Sequence, residues 1–422
     1  MRILLSITNL GIGGAQVFTV RLANELSRHH QVALYCWDGA DIDRGLLGKI
    51  SGSVRVFCFP LPAFFQRVFR GTSFYLGRVG LRRSLWDFLR NNDFRRRVRQ
   101  WKPDLIHSHL FHSDYLCVSP DPGVPAVMTD HGDYRFLIGK GSLSRERSKE
   151  LLGRFQGFIH VCQTNQRYLR QLLPDRSAQE ISIVYGCAYP GPSDRLAVRG
   201  RLGIPAEAMV FGMVARGIEE KGWRQALEAF RRMSGPGSEK ARLVFVGDGP
   251  ALRSLRRSVS GDLAQRVLFT GATAFPERLM SAFDVGVLPS YFAGESLPNF
   301  LIECLSFGKP VIATRIGGIP ELLEYGGITA GILIDLDDRG KADVAALSKA
   351  MKRYLEEEGL LREHSALAAK GFSKFSMEKC ARDHERFYEC VLGRTAGQGN
   401  RSGGQVSADA LEANASPRDQ VR

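Results

Sequence analysis

Residues 285–321 read VGVLPSYFAGESLPNFLIECLSFGKPVIATRIGGIPE. Val285–Leu288 is a short apolar run ended by Pro289, which predicts a buried strand. Pro298 suits the first turn of a helix. On that helix Phe300, Leu301, Cys304 and Leu305 form one apolar arc, and Glu303 points away from its centre. A second strand, Val311–Ala313, follows, and then the pair Gly317-Gly318. In open α/β sheets ligands sit beyond the carboxyl ends of the strands. Glu295, in the loop before the helix, and Glu303, on the helix, therefore both stand at the ligand edge. A carboxylate accepts from paired hydroxyls, so a ribose or a sugar ring is its natural partner.

Strand and helix alternate outward from this unit in both directions. Strands are expected at Arg2–Ile7, Val32–Cys36, Val54–Phe57, Leu105–His107, Val127–Thr129, Gly157–Val161 and Ile181–Val184. After a break they resume at Val210–Val214, Arg242–Val246, Val267–Phe269, Val285–Leu288, Val311–Ala313 and Ile332–Ile334. Such alternation predicts parallel sheets covered by helices on both faces. The break, 189–205, is rich in glycine and proline. It divides the chain into a doubly wound domain at 1–190, a linker at 191–204 and a second doubly wound domain at 205–375. Residues 376–394 hold a last amphipathic helix. The stretch 395–422 has almost no large apolar residue and is expected to be disordered.

At 422 residues, with 44% hydrophobic and 24% charged residues, the chain suits two globular domains and excludes a largely disordered or collagen-like protein. No apolar run approaches the roughly 18–20 residues a membrane span needs. The N-terminal run reads as a first strand rather than a signal peptide. The eight cysteines are scattered, without metal-ligand spacing, which fits reduced thiols in a cytoplasmic protein.

The net charge of +14 is unevenly spread: residues 64–101 carry ten arginines against Asp87 and Asp93. Phe64, Phe65, Phe69, Phe74, Trp86, Phe88, Phe94 and Trp101 lie among them. Leu81, Leu85, Phe88 and Leu89, then Phe94, Val98 and Trp101, keep helical spacing, which predicts amphipathic helices with a basic outer face. Two readings stand side by side, a solvated helix face and a patch for an anionic membrane surface. Nothing resembles a recognition helix, an RNP motif or a zinc finger, so nucleic acid is not an expected partner.

Further candidates fall at other strand ends. Gly11-Ile12-Gly13-Gly14 follows the first strand and opens a helix, where backbone approaches a ligand closely and an anion is favoured. Gly247-Asp248-Gly249-Pro250 is a second glycine turn. Arg216 and Lys221 are two cations that could hold a diphosphate, or could be ordinary surface charges. His107, His109 and His131 could act on a substrate or be satisfied polar residues. The strings Asp41–Asp43 and Asp335–Asp337 lie away from the two glutamates, and no metal is expected there.

Taken in order, these segments resemble the family 4 retaining glycosyltransferases of the GT-B fold. The resemblance is carried by Gly13-Gly14, His109, His131, Arg216 with Lys221-Gly222, Val246–Pro250, Glu295–Glu303, Gly308–Thr314 and Gly317–Glu321. It implies two Rossmann-like domains facing each other across a cleft, with the last helix crossing back to the first. It implies a nucleotide-sugar donor, a UDP-sugar by preference, and no metal or other cofactor. Donor binding falls to Gly13, Gly14, Arg216, Lys221, Gly247 and the run Glu295, Ser296, Leu297, Pro298, Asn299, together with Glu303. Within that set Glu303 would take the ribose hydroxyls and Glu295 those of the donor sugar. Arg216 and Lys221 would neutralise the leaving diphosphate, and His131 would face the sugar near its anomeric carbon; with Glu295, these form the expected catalytic group.

Two positions depart from the pattern. Tyr185-Gly186 stands where many members have Asn-Gly, and Gly217 follows the arginine where leucine is common. The expected reaction moves a hexose or N-acetylhexosamine, with retention, to a glycolipid or polysaccharide acceptor at the inner face of the cytoplasmic membrane. A nucleotide-sugar epimerase of the same architecture and a non-catalytic membrane-associated scaffold remain as alternatives.

Overall fold

The computed structural model describes residues 1–39, 41–59, 85–118, 121–174, 178–188, 191, 193–273 and 275–393. Two parallel sheets organise the chain. The first holds β1 (Arg2–Ile7), β2 (Gln31–Cys36), β3 (Arg55–Cys58), β4 (Leu105–His109), β5 (Ala126–Asp130), β6 (Gly157–His160) and β7 (Gln179–Ser182). Their order is β3-β2-β1-β4-β5-β6-β7. The second is built from β8 (Met209–Val214), β9 (Ala241–Val246), β10 (Val267–Gly271), β11 (Val285–Leu288) and β12 (Val311–Thr314). A hairpin, β13 (Glu324–Tyr325) and β14 (Ile328–Thr329), precedes its last strand, β15 (Gly331–Ile334). The second order is β10-β9-β8-β11-β12-β15, the same winding as the first.

That shared winding positions the site. The strand order reverses between β1 and β4 in one sheet and between β8 and β11 in the other. At such a point neighbouring connections leave to opposite faces and open a crevice beyond the strand ends. The glycine turn 11–14 follows β1, and His109 ends β4. Arg216 and Lys221 follow β8, and Glu295 follows β11.

Both faces of the first sheet are covered, which is why its strands read as nearly continuous apolar runs. One apolar cluster includes Leu5, Ile159 and Tyr185 in the first domain and runs through Phe375 and Phe387 to Val210 and Phe245 in the second. Another covers the opposite face of the first sheet with Tyr35, Phe94, Trp101, Ile106 and Phe158.

The helices include α1 (Gly14–Leu26), α2 (Leu85–Trp101), α3 (Gln163–Leu172), α4 (Arg195–Arg201), α5 (Asn299–Ser306) and α6 (Met377–Val391). In α2, Phe94, Val98 and Trp101 are buried as the spacing predicts. Phe88 departs from its expected apolar arc and is 60% exposed. The arginines do not all form an outer face either, since Arg90 is buried with its guanidinium 4.3 Å from the Trp37 ring. The rest of the basic stretch, 64–84, lies outside the described residues.

The segment expected as a linker, 191–204, carries α4, and α4 is fastened to the second domain. Arg199, 1% exposed, donates to Asp284 Oδ2 at 2.7 Å and to the carbonyls of Ala282, Ala206 and Ala208. The glycine and proline around it hid an ordered element whose core contribution is a buried ion pair and Val198. Helix α6 lies on the first domain: the Tyr388 hydroxyl meets His107 Nδ1 at 2.7 Å, and Glu385 reaches His30 at 3.2 Å. The tail expected to be disordered, 395–422, falls outside the described residues. All eight cysteines are free thiols. Among the described residues no helix is long and apolar enough to cross a membrane.

Candidate active site in the cleft between the two sheets

Glu295 is buried, and its Oε2 accepts from Lys221 Nζ at 2.7 Å and from Ser290 Oγ at 2.5 Å. Local backbone fixes this meeting. Lys221 closes the short turn Glu219–Lys221, and Gly222 follows in the left-handed region at φ +83°. A Cβ on Gly222 would stand 2.0 Å from the Pro289 carbonyl oxygen, so only glycine lets the lysine turn pack on the end of β11. Gly317 holds the other side: φ is +56°, and a Cβ there would lie 2.1 Å from the Glu295 carbonyl oxygen. The Gly318 amide then donates to the Ser296 carbonyl at 2.8 Å. Phe292 roofs the pair, with Lys221 Nζ 5.2 Å and the exposed Arg216 guanidinium 5.9 Å from its ring centroid.

Glu303 occupies the second turn of α5 and is 8% exposed. The helical spacing turned it away from the apolar arc, and the structure shows what it meets there. Arg21 Nη2, on α1 of the first domain, donates to its Oε1 at 2.6 Å. Burial lowers the Arg21 pKa, but the Glu303 carboxylate, with Cys187 and Glu277 adding, more than offsets this and the net shift is upward. At the start of the same two helices Asn299 Nδ2 donates to the Gly14 carbonyl at 2.8 Å. Gly14, at the start of α1, thus lies beside the N-terminus of α5.

The histidines form a buried chain. His131 Nε2 lies 3.1 Å from His109 Nδ1, and His131 Nδ1 makes a short hydrogen bond with the Tyr185 hydroxyl. His107 bonds Thr129 and Tyr388, each at 2.7 Å. Burial drives all of them toward the neutral form, His131 down to about 3, and His107 and His109 well below the usual range. With both ring nitrogens engaged inside its own domain, His131 meets the opposite domain through its carbonyl oxygen, which accepts from Ser296 Oγ at 3.0 Å. The ring expected to face the donor is thus hydrogen-bonded within the first domain. Tyr185, which departs from the expected pattern, supplies one of those bonds.

Gly217, the other departure, has no room for a side chain: a Cβ would lie 2.5 Å from the Asp248 carbonyl and the Gly249 nitrogen. The arginine loop therefore packs flat on the second glycine turn, and the Gly247 N–H is held there by donating to the Gly271 carbonyl. Both D-x-D strings do structural work. Asp41 accepts from Asn9, Asp43 caps a short helix, Asp335 pairs with Arg315, and Asp337 closes a turn. Among the described residues no group of three or more His, Cys, Asp or Glu could hold a metal ion.

Sequence reading missed the residues that join the two sides. Arg135 Nη2 donates to the Glu295 carbonyl at 2.7 Å. Asn165 Nδ2 reaches Ser296 Oγ at 3.0 Å, and Thr164 donates to the Gly317 carbonyl. Both Glu321 oxygens accept from the Gln163 amide, capping α3 from across the cleft. None of these has a local signal, because each partner lies more than a hundred residues away. Leu297 is buried, and Pro298 stands in extended backbone just before α5, with no side-chain cap. The arrangement offers two carboxylates for hydroxyl groups, two cations for an anion and a helix N-terminus, all where the strand ends converge.

Two family models match the chain. The one described as Glycosyltransferase Family 4 covers residues 12–188, and the one described as Glycosyl transferases group 1 covers residues 208–357. The chain is 29% identical to the 2-deoxystreptamine N-acetyl-D-glucosaminyltransferase of Streptomyces fradiae, over 92% of this chain and 93% of that protein. It is 27% identical to the 2-deoxystreptamine glucosyltransferase of Streptomyces kanamyceticus, over 81% and 89%. Among solved structures it is similar to Anabaena Alr3699/HepE in complex with UDP and glucose, with a TM-score of 0.70 and 19% identity, over 92% of this chain and 100% of that one.

Proposed function

Because the chain belongs to the family 4 glycosyltransferases, we propose that it moves a hexose or N-acetylhexosamine from a UDP-sugar to a hydroxyl of a sugar-bearing acceptor, with retention at the anomeric carbon. The observation that carries this reading is the Lys221–Glu295 pair at the carboxyl edge of the second sheet, with Glu303 on the helix that follows. UDP is preferred because the similar Anabaena protein holds UDP and glucose.

Breaking the bond between the anomeric carbon and phosphate leaves negative charge on the diphosphate and cationic character on the sugar. In this reading Lys221 and Arg216 take up the first, helped by backbone N–H groups at the start of α1. Glu303 accepts from the ribose hydroxyls, and Glu295 from those of the donor sugar. The acceptor oxygen attacks on the face the phosphate leaves, and a phosphate oxygen takes its proton. His131, with both nitrogens held, acts here as a positioning residue through Ser296. No metal enters the scheme.

For the acceptor, the arginine-rich stretch 64–101 favours a glycolipid at an anionic membrane surface. A second reading, a small polar sugar-like acceptor free in solution, is favoured by the two relatives that run nearly the whole chain, whose names give 2-deoxystreptamine. Co-sedimentation with anionic and neutral vesicles separates them: pelleting that needs anionic lipid, and that is lost when several arginines become glutamate, supports the first.

The donor is tested by thermal stability with UDP-, GDP- and ADP-sugars in EDTA, on wild type and Glu303→Ala. A ligand at about 100 times its Kd stabilises by roughly 2.7 kcal/mol, a shift of a few degrees. A shift with UDP-sugars alone, absent from the variant, is the expected result. No shift with any donor would return the scaffold reading.

A further inference from the structure

Arg21 and Glu303 are 282 residues apart in sequence and belong to different domains, yet their side chains meet at 2.6 Å. The two helices α1 and α5 meet there at two points. Gly14 at the head of α1 meets Asn299 at the head of α5, and Arg21 further along α1 meets Glu303 further along α5. A separation of the domains across both contacts lifts the glycine turn away from the head of α5 as it breaks the second. The side chains are 24% and 11% exposed, so the pair is shielded on both sides. The neighbouring bridge between domains, Lys49 to Glu277 at 3.2 Å, is 28% and 39% exposed and belongs to the class of surface pairs that contribute little.

Arg21 engages only Oε1; among the described residues no hydrogen bond reaches Oε2. An ionised carboxylate offers about four lone-pair directions. The arginine and a ribose diol can therefore share Glu303 rather than compete for it. A carboxylate buried at the cleft with its cation in place is also oriented before the nucleotide arrives, and a preorganised partner loses less freedom on binding.

We propose that Arg21 is a positioning residue that latches the first domain onto the ribose-binding carboxylate, so that Gly13-Gly14 is held over the diphosphate while Glu303 holds the nucleoside. This rests on the reading of Glu303 as the carboxylate that accepts from the ribose hydroxyls. It assigns to α1 a task separate from its N-terminal glycines: domain closure and nucleotide occupancy converge on one carboxylate.

The test uses the full chain with Arg21→Gln, Arg21→Lys, Lys49→Gln and Glu303→Gln. The readouts are small-angle scattering with and without UDP, calorimetric UDP affinity, and the rate of UDP-glucose turnover. For Arg21→Gln the expected result is a larger radius of gyration in both states and a turnover rate lowered about 10-fold or more, the scale of a charged hydrogen bond. Its UDP affinity should fall several-fold, because the carboxylate loses its preset orientation and Gly13-Gly14 its place over the diphosphate. Arg21→Lys should recover part of the closure, and Lys49→Gln should scatter as wild type does. Unchanged scattering and turnover in Arg21→Gln would overturn the latch, and tighter UDP binding would replace it with competition. Should Glu303→Gln bind UDP as wild type does, the ribose reading fails instead, and the scattering of Arg21→Gln without UDP still decides the latch.

Discussion

Lys221 Nζ and Glu295 Oε2 stand 2.7 Å apart, and Ser290 Oγ reaches the same oxygen at 2.5 Å. The lysine is thereby aimed from the turn after β8 to the loop after β11, across the point where the strand order reverses. A cation fixed in this way can meet developing charge without reorganising. Lys221→Ala should lower the turnover rate about 100- to 1000-fold, as loss of one preorganised donor does. Ser290→Ala leaves the lysine in place and should cost about tenfold. Initial rates of donor turnover, with nucleotide affinity measured separately, check both; full activity in Lys221→Ala would remove the lysine from the mechanism.

Gly317→Ala should damage the site more than the fold. Its φ of +56° disfavours a side chain, and the added Cβ would press on the Glu295 carbonyl oxygen at 2.1 Å. The loop that carries Glu295 has to move, so turnover should fall by at least tenfold while the far-ultraviolet spectrum stays unchanged. Gly340→Ala serves as the comparison, since its φ of +70° is similar and nothing lies within 4 Å of an added Cβ.

Asp284→Ala should be severely destabilising. It leaves Arg199, 1% exposed, without its carboxylate and also strips the Val210 amide of an acceptor. Removing one partner of a buried pair costs about 3–5 kcal/mol. For a domain of this size that lowers the melting midpoint by roughly 6–20 °C. Calorimetry reads it directly, and a midpoint within two degrees of wild type would show that α4 is not anchored by this pair.

Acid should weaken the fold through the buried histidines. Burial brings His384 down to about 4 and His131 to about 3, whereas in the unfolded chain both titrate near 6.5. Their share of stability is complete above about 6.5 and is lost as pH falls from there toward 4, by at most about 1.4 kcal/mol per unit for each. Asp130 works in the other sense. Burial raises it to about 7, so it is protonated in the fold and ionised in the unfolded chain between about 4 and 7, and its share grows as pH falls. His384→Gln should therefore flatten the loss of melting temperature between pH 6.5 and 4.5, and Asp130→Asn should steepen it. Parallel profiles for the two variants would show that neither group titrates with folding.

Much of the architecture was legible in the sequence. Thirteen apolar runs announced the thirteen strands of the two parallel sheets, because strands buried on both faces need continuous apolar residues, while the short hairpin β13–β14 went unread. Boundaries moved by one to two residues: β4 continues through His109, and β7 begins at Gln179. Helix α4 went unread because the glycines and proline around it resemble a linker, and its main anchor is an arginine, a residue that pattern reading places outside.

By itself the sequence determined which residue types stand at which strand ends. Glycines after β1, cations after β8 and carboxylates after β11 are local facts, set by spacing of a few residues and by the shared winding of the two sheets. Only the tertiary structure decided who meets whom. Arg21 finds Glu303, Tyr185 bonds His131, Glu321 caps α3, and Gly217 lies flat against Gly249. Each of these pairs joins segments that only tertiary packing brings together. A contact between residues far apart in the chain leaves no periodicity in either segment, so it becomes visible only in the folded chain.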